Sequence, residues 1–301
     1  MILMNLNCRD FDSIPKKLAV KRLIDEQTLD VIFLQETMFD GCVLVKEMES
    51  MLKEWEFIPV DAKGRSKGLI LGWRSRKFLL LNAWSMNSSL CVALHSFELQ
   101  LDLCFINLYG PYTEREVFWN NLLGMNCFSY PNLVVGGDLK FSLGHSEIWG
   151  AKARVDVLTD FFIHLLEGLG LIDITPLESR PTWSNRRIVS ESIYKRLDRI
   201  LLSADFLDSA FLLRRWIGCG GYLDHQPVFL QILPSSPKAH CPFKFNACWL
   251  ENTELVDSLK ASWMVFNALS ELSPASQFVV RPKKIKNCIH KQVSEEKSPG
   301  Y

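Results

Sequence analysis

Short apolar runs bordered by polar residues recur along this chain, and they restrict the folds that it can adopt. The runs cover residues 2–6, 31–34, 101–108, 133–135 and 228–233. Each is short enough to form a buried strand, and helical patterns separate several of them. Strands and helices mixed in this way are typical of sheets that are covered by helices.

The pattern between residues 57 and 109 differs, because strand-like runs follow one another there without a helix between them. Such a succession is typical of antiparallel strands joined by turns. Elsewhere helical spacing is clear, as where Ser13 and Pro15 precede a stripe that contains Leu23 and Ile24. The chain is therefore predicted to be an α/β protein in which two packed sheets form a sandwich covered by helices.

The chain of 301 residues is long enough for one large domain followed by a tail. A boundary is predicted at the segment Pro234-Ser235-Ser236-Pro237. We expect one domain over residues 1–235, and a linker with a tail over residues 236–301. Residues 281–301 hold many lysines and few large apolar side chains, which predicts disorder there.

Charge and composition argue against several classes of protein. The formal net charge is zero, so no overall basic field indicates a nucleic-acid partner, although a nuclease needs only a locally basic groove. No apolar run approaches the roughly 18 residues of a membrane span, and the N-terminus does not resemble a secretory signal. The nine cysteines include no Cys-x-x-Cys pair. We therefore expect an intracellular protein, nuclear or cytoplasmic, with reduced thiols and no membrane partner.

Polar residues that can bind a metal ion or a phosphate border these runs, namely Asn7, Glu36, Asn107, Tyr109, Asp138 and the pair Asp224-His225. In α/β folds, such residues gather at one rim of the sheet, where ligands bind. Taken singly, each has a simpler interpretation, since an Asn after a strand is commonly a turn former and a carboxylate commonly starts a helix. Their recurrence predicts a site at the rim.

The order of these residues and of the motifs around them resembles that of a known superfamily. The succession is Asn7-Cys8-Arg9, Gln35-Glu36, residues 107–111, Gly136-Gly137-Asp138, Pro181-Thr182-Trp183, residues 196–199 and Asp224-His225. It resembles the endonuclease/exonuclease/phosphatase superfamily, which includes deoxyribonuclease I and abasic-site endonucleases. More narrowly, residues 136–143, 147–150, 181–187 and 242–250 are similar to plant LINE-type non-LTR retrotransposons, in the endonuclease domain and the segment after it. The resemblance covers residues 1 to about 260.

The resemblance implies a four-layered, deoxyribonuclease I-like sandwich with Mg²⁺-dependent endonuclease activity on DNA. Glu36 would be the main Mg²⁺ ligand, helped by Asn7 and Asp224, and Mn²⁺ is an alternative ion. This donor set suits Mg²⁺, which prefers hard oxygen ligands. No organic cofactor is implied, and we expect a monomer.

The resemblance also implies roles for residues that act on the phosphodiester. Asp138 would orient and activate the attacking water, and Tyr109 would donate a hydrogen bond to the phosphate. His225, held by Asp198, would offset negative charge on the phosphoryl oxygens. Together with the metal, these groups supply a positioned nucleophile and charge stabilisation.

The sequence departs from the family pattern at two positions. Lys140 stands where the family has Asn, two residues after the catalytic Asp, and Leu223 replaces the usual Ser before Asp224-His225. The loss of a hydroxyl at Leu223 removes one supporting hydrogen bond. Lys140 brings a flexible cation to the site, where it could contact phosphate or pair with Asp138 and lower its basicity. We expect impaired activity.

Three functions therefore stay open. The first is a retroelement-derived DNA endonuclease, and no reverse-transcriptase pattern follows the linker, so we expect a stand-alone or truncated remnant. The second is an inactive form of the fold that binds nucleic acid or protein. The third is a phosphoesterase for small phosphorylated molecules, which the retrotransposon-like motifs disfavour.

Overall fold

The computed structural model divides the chain into two compact units, Met1–Ser235 and Ser236–Tyr301. In the first unit, it describes residues 1–62, 68–86, 88–124, 128, 130–150, 154–176, 179–187, 189–208, 211–221 and 223–234. In the second unit, it describes residues 253, 256, 257 and 260. The prediction of a disordered tail at residues 281–301 concerns positions outside the described residues.

The described strands form two six-stranded sheets and one three-stranded sheet. The first sheet has the order β14 (Phe211–Ile217), β15 (Val228–Pro234), β1 (Ile2–Asn7), β2 (Val31–Gln35), β4 (Leu69–Arg74) and β3 (Trp55–Val60). Strands β1 and β2 are parallel, and the other neighbours in this sheet are antiparallel. Because β1 and β2 are parallel, the carboxyl ends of these two strands meet at one edge of the sheet, with Asn7 opposite Gln35.

The second sheet repeats this arrangement. Its order is β10 (Leu171–Asp173), β13 (Asp198–Ser203), β8 (Leu133–Asp138), β7 (Leu101–Tyr109), β6 (Ser89–Ser96) and β5 (Phe78–Met86). Strands β7 and β8 are parallel and end together, with Tyr109 opposite Asp138, and Asp138 lies opposite Asp198 of β13. The small sheet has the order β11 (Trp183–Ser184), β12 (Tyr194–Lys195) and β9 (Ile148–Trp149).

The α-helices of the described ranges are α1 (Ile14–Glu26), α2 (Gly41–Met51), α3 (Arg115–Leu123), α4 (Thr159–Gly168) and α5 (Ala204–Asp208). As predicted, α1 begins after Ser13 with Pro15 in its first turn, although the Ser13 side chain makes no capping hydrogen bond. Helix α2 begins after Asp40, whose carboxylate accepts a hydrogen bond from the Val43 backbone nitrogen at 2.9 Å. None of these helices has the length and apolarity that crossing a bilayer requires.

Alternating side chains divide the apolar residues into an inner layer and two outer layers. In the inner layer, the two large sheets pack face to face, and the rings of Phe33 and Phe105 meet edge to face at 6.0 Å. Helices α1 and α2 cover the outer face of the first sheet, where Met4 points. Helices α3 and α4 cover the second sheet, with Trp119 of α3 and Phe162 of α4 buried against it. The predicted four-layered α/β sandwich is confirmed.

A buried polar bridge crosses the inner layer beside the predicted site. Gln35 of β2 donates its side-chain amide to Asn107 of β7 at 2.6 Å and to Asn5 of β1 at 2.8 Å. The Asn107 amide in turn donates to the backbone oxygens of Leu34 and Ile70 at 3.1 and 2.8 Å. Because these groups are fully buried, the bridge stabilises one relative position of the sheets.

Replacing Asn107 with Ala tests this bridge. The substitution leaves the buried Gln35 amide and the backbone oxygens of Leu34 and Ile70 without this hydrogen-bond partner. We therefore expect the free energy of unfolding to fall by about 2 to 3 kcal/mol. Denaturant titration of the full chain measures the change. Asn132 also donates its side-chain amide to a backbone oxygen, but at an exposed position, and Asn132→Ala should cost less than about 0.5 kcal/mol. Equal losses in the two variants would contradict the proposed bridge.

Candidate active site

The residues predicted from the sequence lie together where the two large sheets meet at one rim. Asn7, Glu36, Asp224 and His225 come from the first sheet, at the ends of β1 and β2 and just before β15. Tyr109, Asp138, Lys140 and Asp198 come from the second, at the ends of β7 and β8 and the start of β13. Neither sheet carries the set alone.

The two glycines before Asp138 let β8 pass close to its neighbours. A Cβ atom on Gly137 would lie 1.7 Å from the backbone oxygen of Leu108, and one on Gly136 would lie 2.5 Å from the ring of Phe33. Any larger residue would push β8 away from β7 or from the opposite sheet. The Gly-Gly pair therefore sets the position of the carboxylate that follows it.

Asn7 joins the two sheets at the centre of the site. Its amide nitrogen donates to Glu36 Oε1 at 2.9 Å and to Asp138 Oδ2 at 2.7 Å, and its Oδ1 accepts from the Arg9 backbone nitrogen at 3.0 Å. Glu36 adopts a left-handed backbone conformation with φ of 51°, which is strained for a residue other than glycine. Strain of this kind persists where surrounding contacts over-determine the conformation.

Lys140 forms an ion pair with Asp138, one of the two contacts considered for it in the sequence analysis above. Its Nζ contacts Asp138 Oδ2 directly and lies 3.5 Å from Glu36 Oε1. The ammonium also lies over the rings of Tyr109 and Tyr112, 5.0 and 4.7 Å from their centres. Burial would lower the pKa of Lys140, but the Asp138 carboxylate and Tyr112 together outweigh burial and raise it. Lys140 is therefore a permanent cation at neutral pH.

The same contacts change the acidity of their partners. Burial disfavours the ionised form of Asp138, but Lys140 and His225 outweigh it and hold the pKa of Asp138 below its usual value. Tyr109 is buried as well, and burial beside the Glu36 carboxylate raises the pKa of its hydroxyl. Asp138 is thus an ionised but weakly basic carboxylate, and Tyr109 keeps its proton.

His225 lies between two carboxylates of the second sheet. Its Nδ1 is 2.9 Å from Asp198 Oδ2, and its Nε2 is 3.5 Å from Asp138 Oδ2. Burial would lower the pKa of His225, but Asp198 and Asp138 outweigh it and raise the pKa. Burial raises the pKa of Asp198, against the opposing effect of His225. The imidazole can therefore carry a positive charge next to Asp138.

Thr182 positions this histidine and its partner, a role that the sequence did not reveal. The Thr182 hydroxyl oxygen accepts hydrogen bonds from the backbone nitrogens of Leu197 and Asp198 at 2.9 and 3.0 Å. Its backbone oxygen accepts from Gln226 at 2.7 Å, and Trp183 forms a β-bridge with His225. The motif Pro181-Thr182-Trp183 carried the resemblance, yet a buried threonine in a motif does not disclose its distant partners.

The oxygen donors at the rim suit a hard divalent cation, although two of the chain's own cations compete for them. Glu36 and Asp224 offer carboxylates, and the buried Oδ1 of Asp138 makes no hydrogen bond within the described residues. Lys140 lies beside Glu36, and the exposed Arg9 binds Asp224 Oδ2 at 2.6 Å. By donor chemistry, the residues fit Mg²⁺ or Mn²⁺.

A second acidic group overlaps this donor set. Ligand atoms of Asp138, Asp198 and His225 lie within 4.8 Å of one another, which is close enough to hold a metal ion. Because His225 Nδ1 already pairs with Asp198, we interpret this group as an orienting hydrogen-bond chain.

The charge on His225 has a pH consequence. We expect its imidazole to titrate above 6.5, and Asp198→Asn to lower the midpoint because it removes the nearer carboxylate. Since the folded-state pKa is raised, this interaction stabilises the fold below the unfolded-state pKa, and the contribution is lost as pH rises through the folded value. Nitrogen NMR of the imidazole measures the midpoint. Asp102→Asn, which removes a carboxylate from the distant His95, should leave the His225 midpoint unchanged.

No protein-family model matches the chain, and no curated protein matches it. Solved structures do match. The endonuclease domain of TRAS1, a telomere-specific non-LTR retrotransposon, is 16% identical with a TM-score of 0.59, covering 78% of this chain and 99% of that one. An AP endonuclease from Archaeoglobus fulgidus is 15% identical with a TM-score of 0.60, covering 77% and 99%. An endonuclease/exonuclease/phosphatase from Bacteroides vulgatus is 14% identical with a TM-score of 0.56, covering 77% and 98%. The chain has the fold of the endonuclease/exonuclease/phosphatase proteins, as its motifs predict.

Proposed function

We propose that this chain is a Mg²⁺-dependent phosphodiesterase that nicks DNA, and that Lys140 keeps its rate low. The observation that carries the proposal is the line of contacts from Asp198 through His225 to Asp138, facing Asn7 and Glu36 across the rim. A phosphodiester placed there would meet an ionised carboxylate and two cations. Those are the groups that hydrolysis of a phosphodiester requires.

Each residue has a role that follows from its protonation state. Asp138 is ionised and can accept a proton from a water molecule, while His225, oriented by Asp198, places positive charge beside the phosphoryl oxygens. Tyr109 keeps its proton and can donate a hydrogen bond to phosphate. Glu36, with Asn7 and Asp224, would hold Mg²⁺. Once bound, the ion would polarise the phosphate and offset its charge.

Lys140 opposes this chemistry in two ways. Its ammonium holds the pKa of Asp138 low, so the carboxylate is a weaker base toward water. The same ammonium lies 3.5 Å from Glu36, where it repels a divalent cation. The ion pair between Lys140 and Asp138 also favours the second candidate function, an inactive form of the fold that binds nucleic acid without cutting it.

The DNA substrate and the retroelement origin rest on the sequence motifs and on the neighbours. Residues 136–143 and 181–187 are similar to the plant LINE-type endonuclease domain. The retrotransposon neighbour is itself described as an endonuclease domain, and another neighbour, a 3′ phosphatase from Neisseria, was solved bound to a DNA hairpin. With a net charge of zero, DNA binding would depend on local cations such as Arg9 and Lys140.

Restoring the amide at position 140 tests the proposed activity. Lys140→Asn frees Asp138 and restores a neutral hydrogen-bond donor, so the rate of plasmid nicking with Mg²⁺ should rise roughly tenfold or more. Lys140→Met removes the charge without restoring the donor and should gain less. Adding His225→Ala to Lys140→Asn should abolish the regained activity, and a chelator should do the same.

A surface control separates this effect from a general loss of positive charge. Lys46 is exposed on α2, and Lys46→Asn should nick at the wild-type rate. The proposed suppression by Lys140 is wrong if the wild-type chain already nicks as fast as Lys140→Asn. The proposed activity is wrong if Lys140→Asn folds and stays inert, and the binding-only function is then preferred.

Metal binding gives a readout that does not depend on cleavage. Because Lys140 competes with a divalent ion at Glu36, both Lys140→Asn and Lys140→Met should bind Mn²⁺ at least roughly tenfold more tightly than wild type. Calorimetric titration measures the affinity. Glu36→Gln in the Lys140→Met background should reverse the gain, whereas unchanged affinity in both Lys140 variants would show that Lys140 does not compete.

A further inference from the structure

The contact between Asp198 and His225 joins residues of different sheets. Asp198 begins β13 in the second sheet, and His225 precedes β15 in the first. Their 2.9 Å hydrogen bond therefore depends on the spacing of the two sheets at this rim. A shift of 1 Å would lengthen this contact to about 3.9 Å, which is beyond hydrogen-bond distance.

A buried arginine cluster lies next to this contact. It consists of Arg196, Arg199, Arg215, Glu147 and Asp173. Arg196 binds Glu147 Oε1 at 2.5 Å and Asp173 Oδ1 at 2.7 Å, and Arg199 contacts both carboxylates. The arginine side chains are at most 2% exposed, and Glu147 also accepts from the Leu143 backbone nitrogen at 2.6 Å.

Arg215 is the member of the arginine cluster that comes from the first sheet. It lies on β14 at the edge of that sheet, and its side chain reaches β10 and β13 of the second. Its Nη1 donates to Asp173 Oδ1 at 3.0 Å, and its Nη2 donates to the Asp198 backbone oxygen at 3.5 Å. One guanidinium thus binds an edge strand of the second sheet and the residue that orients His225.

The composition of the cluster is costly for stability alone. Three guanidinium groups face two carboxylates, and the Nε atoms of all three arginines lack a hydrogen-bond partner among the described residues. Burial and the neighbouring Arg196 lower the pKa of Arg215 to about 9. Apolar side chains of similar volume often stabilise a core equally well, whereas a charged fork fixes a particular geometry. The cluster therefore suits a role in positioning.

We propose that Arg215 is a positioning residue, which holds the two sheets at the spacing that the Asp198–His225 hydrogen bond requires. The inference rests on the proposed function, because it assigns Arg215 to the geometry of that site. Arg215 acts through Asp173 and the Asp198 backbone, and the hydrogen bonds and ion pairs of the described residues include none between Arg215 and His225.

The test compares Arg215→Met and Arg215→Lys with Arg214→Met in the full chain. Arg214 is the exposed neighbour on the same strand and serves as the matched control. The readout is the downfield proton signal of His225 Nδ1, assigned by its loss in His225→Gln. We expect Arg215→Met to unfold at a midpoint close to that of wild type and to lose or shift this signal. Arg215→Lys, which keeps the charge without the fork, should show an intermediate change.

Kinetics in the Lys140→Asn background provide the second readout. Arg215→Met should lower kcat at least roughly tenfold with KM unchanged, because the site binds DNA but holds His225 poorly. An unchanged Nδ1 signal in Arg215→Met overturns the inference. If Arg215→Met does not fold, an unchanged Nδ1 signal in Arg215→Lys overturns it. If the signal changes as expected while Lys140→Asn cuts no DNA, the proposed function fails and the positioning role stands.

Discussion

The spacing of the two large sheets at one rim is the constraint on which the rest of the structure depends. Asn7 reaches Asp138 across this gap at 2.7 Å, and His225 reaches Asp198 at 2.9 Å. Neither contact lies within one sheet, so neither sheet could form the site without the other. A close-packed inner layer tolerates little change in the distance between the sheets. The hydrogen bonds of Asn107 to the first sheet also stabilise one relative position of the two sheets. The packing of the core thus determines the distances between the polar side chains at the rim.

Within that geometry, one side chain determines the electrostatic state of the site. The Lys140 ammonium is paired with Asp138 and lies close to Glu36. It therefore places a positive charge beside these carboxylates, as a bound metal ion would. A buried ion pair is costly to break from one side, because the partner is then left uncompensated. The ion pair therefore stabilises the rim as it stands, and the same ion pair would oppose the proposed role of Asp138 as a base. Under the proposed function, stability and catalysis would make opposite demands on this contact.

The fold of this chain could be predicted where it depends on residues close together in the sequence. Strand ends and the beginning of α1 after Ser13 depend on nearby residues, and they predicted the α/β sandwich. The residues of the rim were predicted from the order of motifs spread over residues 7–225, which resembles that of a known superfamily. The pairing of Lys140 with Asp138 could also be predicted, since only Leu139 separates them in the sequence. The role of Thr182 and the contact of Arg215 with Asp173 could not be predicted, because each depends on segments that only the folded chain brings together. A buried arginine in an edge strand has no local pattern that discloses its partner.

Binding of a phosphodiester at the proposed site, which both sheets form together, can be measured without cleavage. Imidazole NMR of the wild-type chain, with a short DNA duplex added in metal-free buffer, reports which histidine the phosphates approach. We expect the His225 signals to shift when the duplex is added. His95 should not respond, since it pairs with Asp102 at the start of β7, the opposite end of the strand from Tyr109. A duplex that leaves His225 unchanged, or that shifts His95 instead, would contradict the claim that this rim receives the phosphodiester.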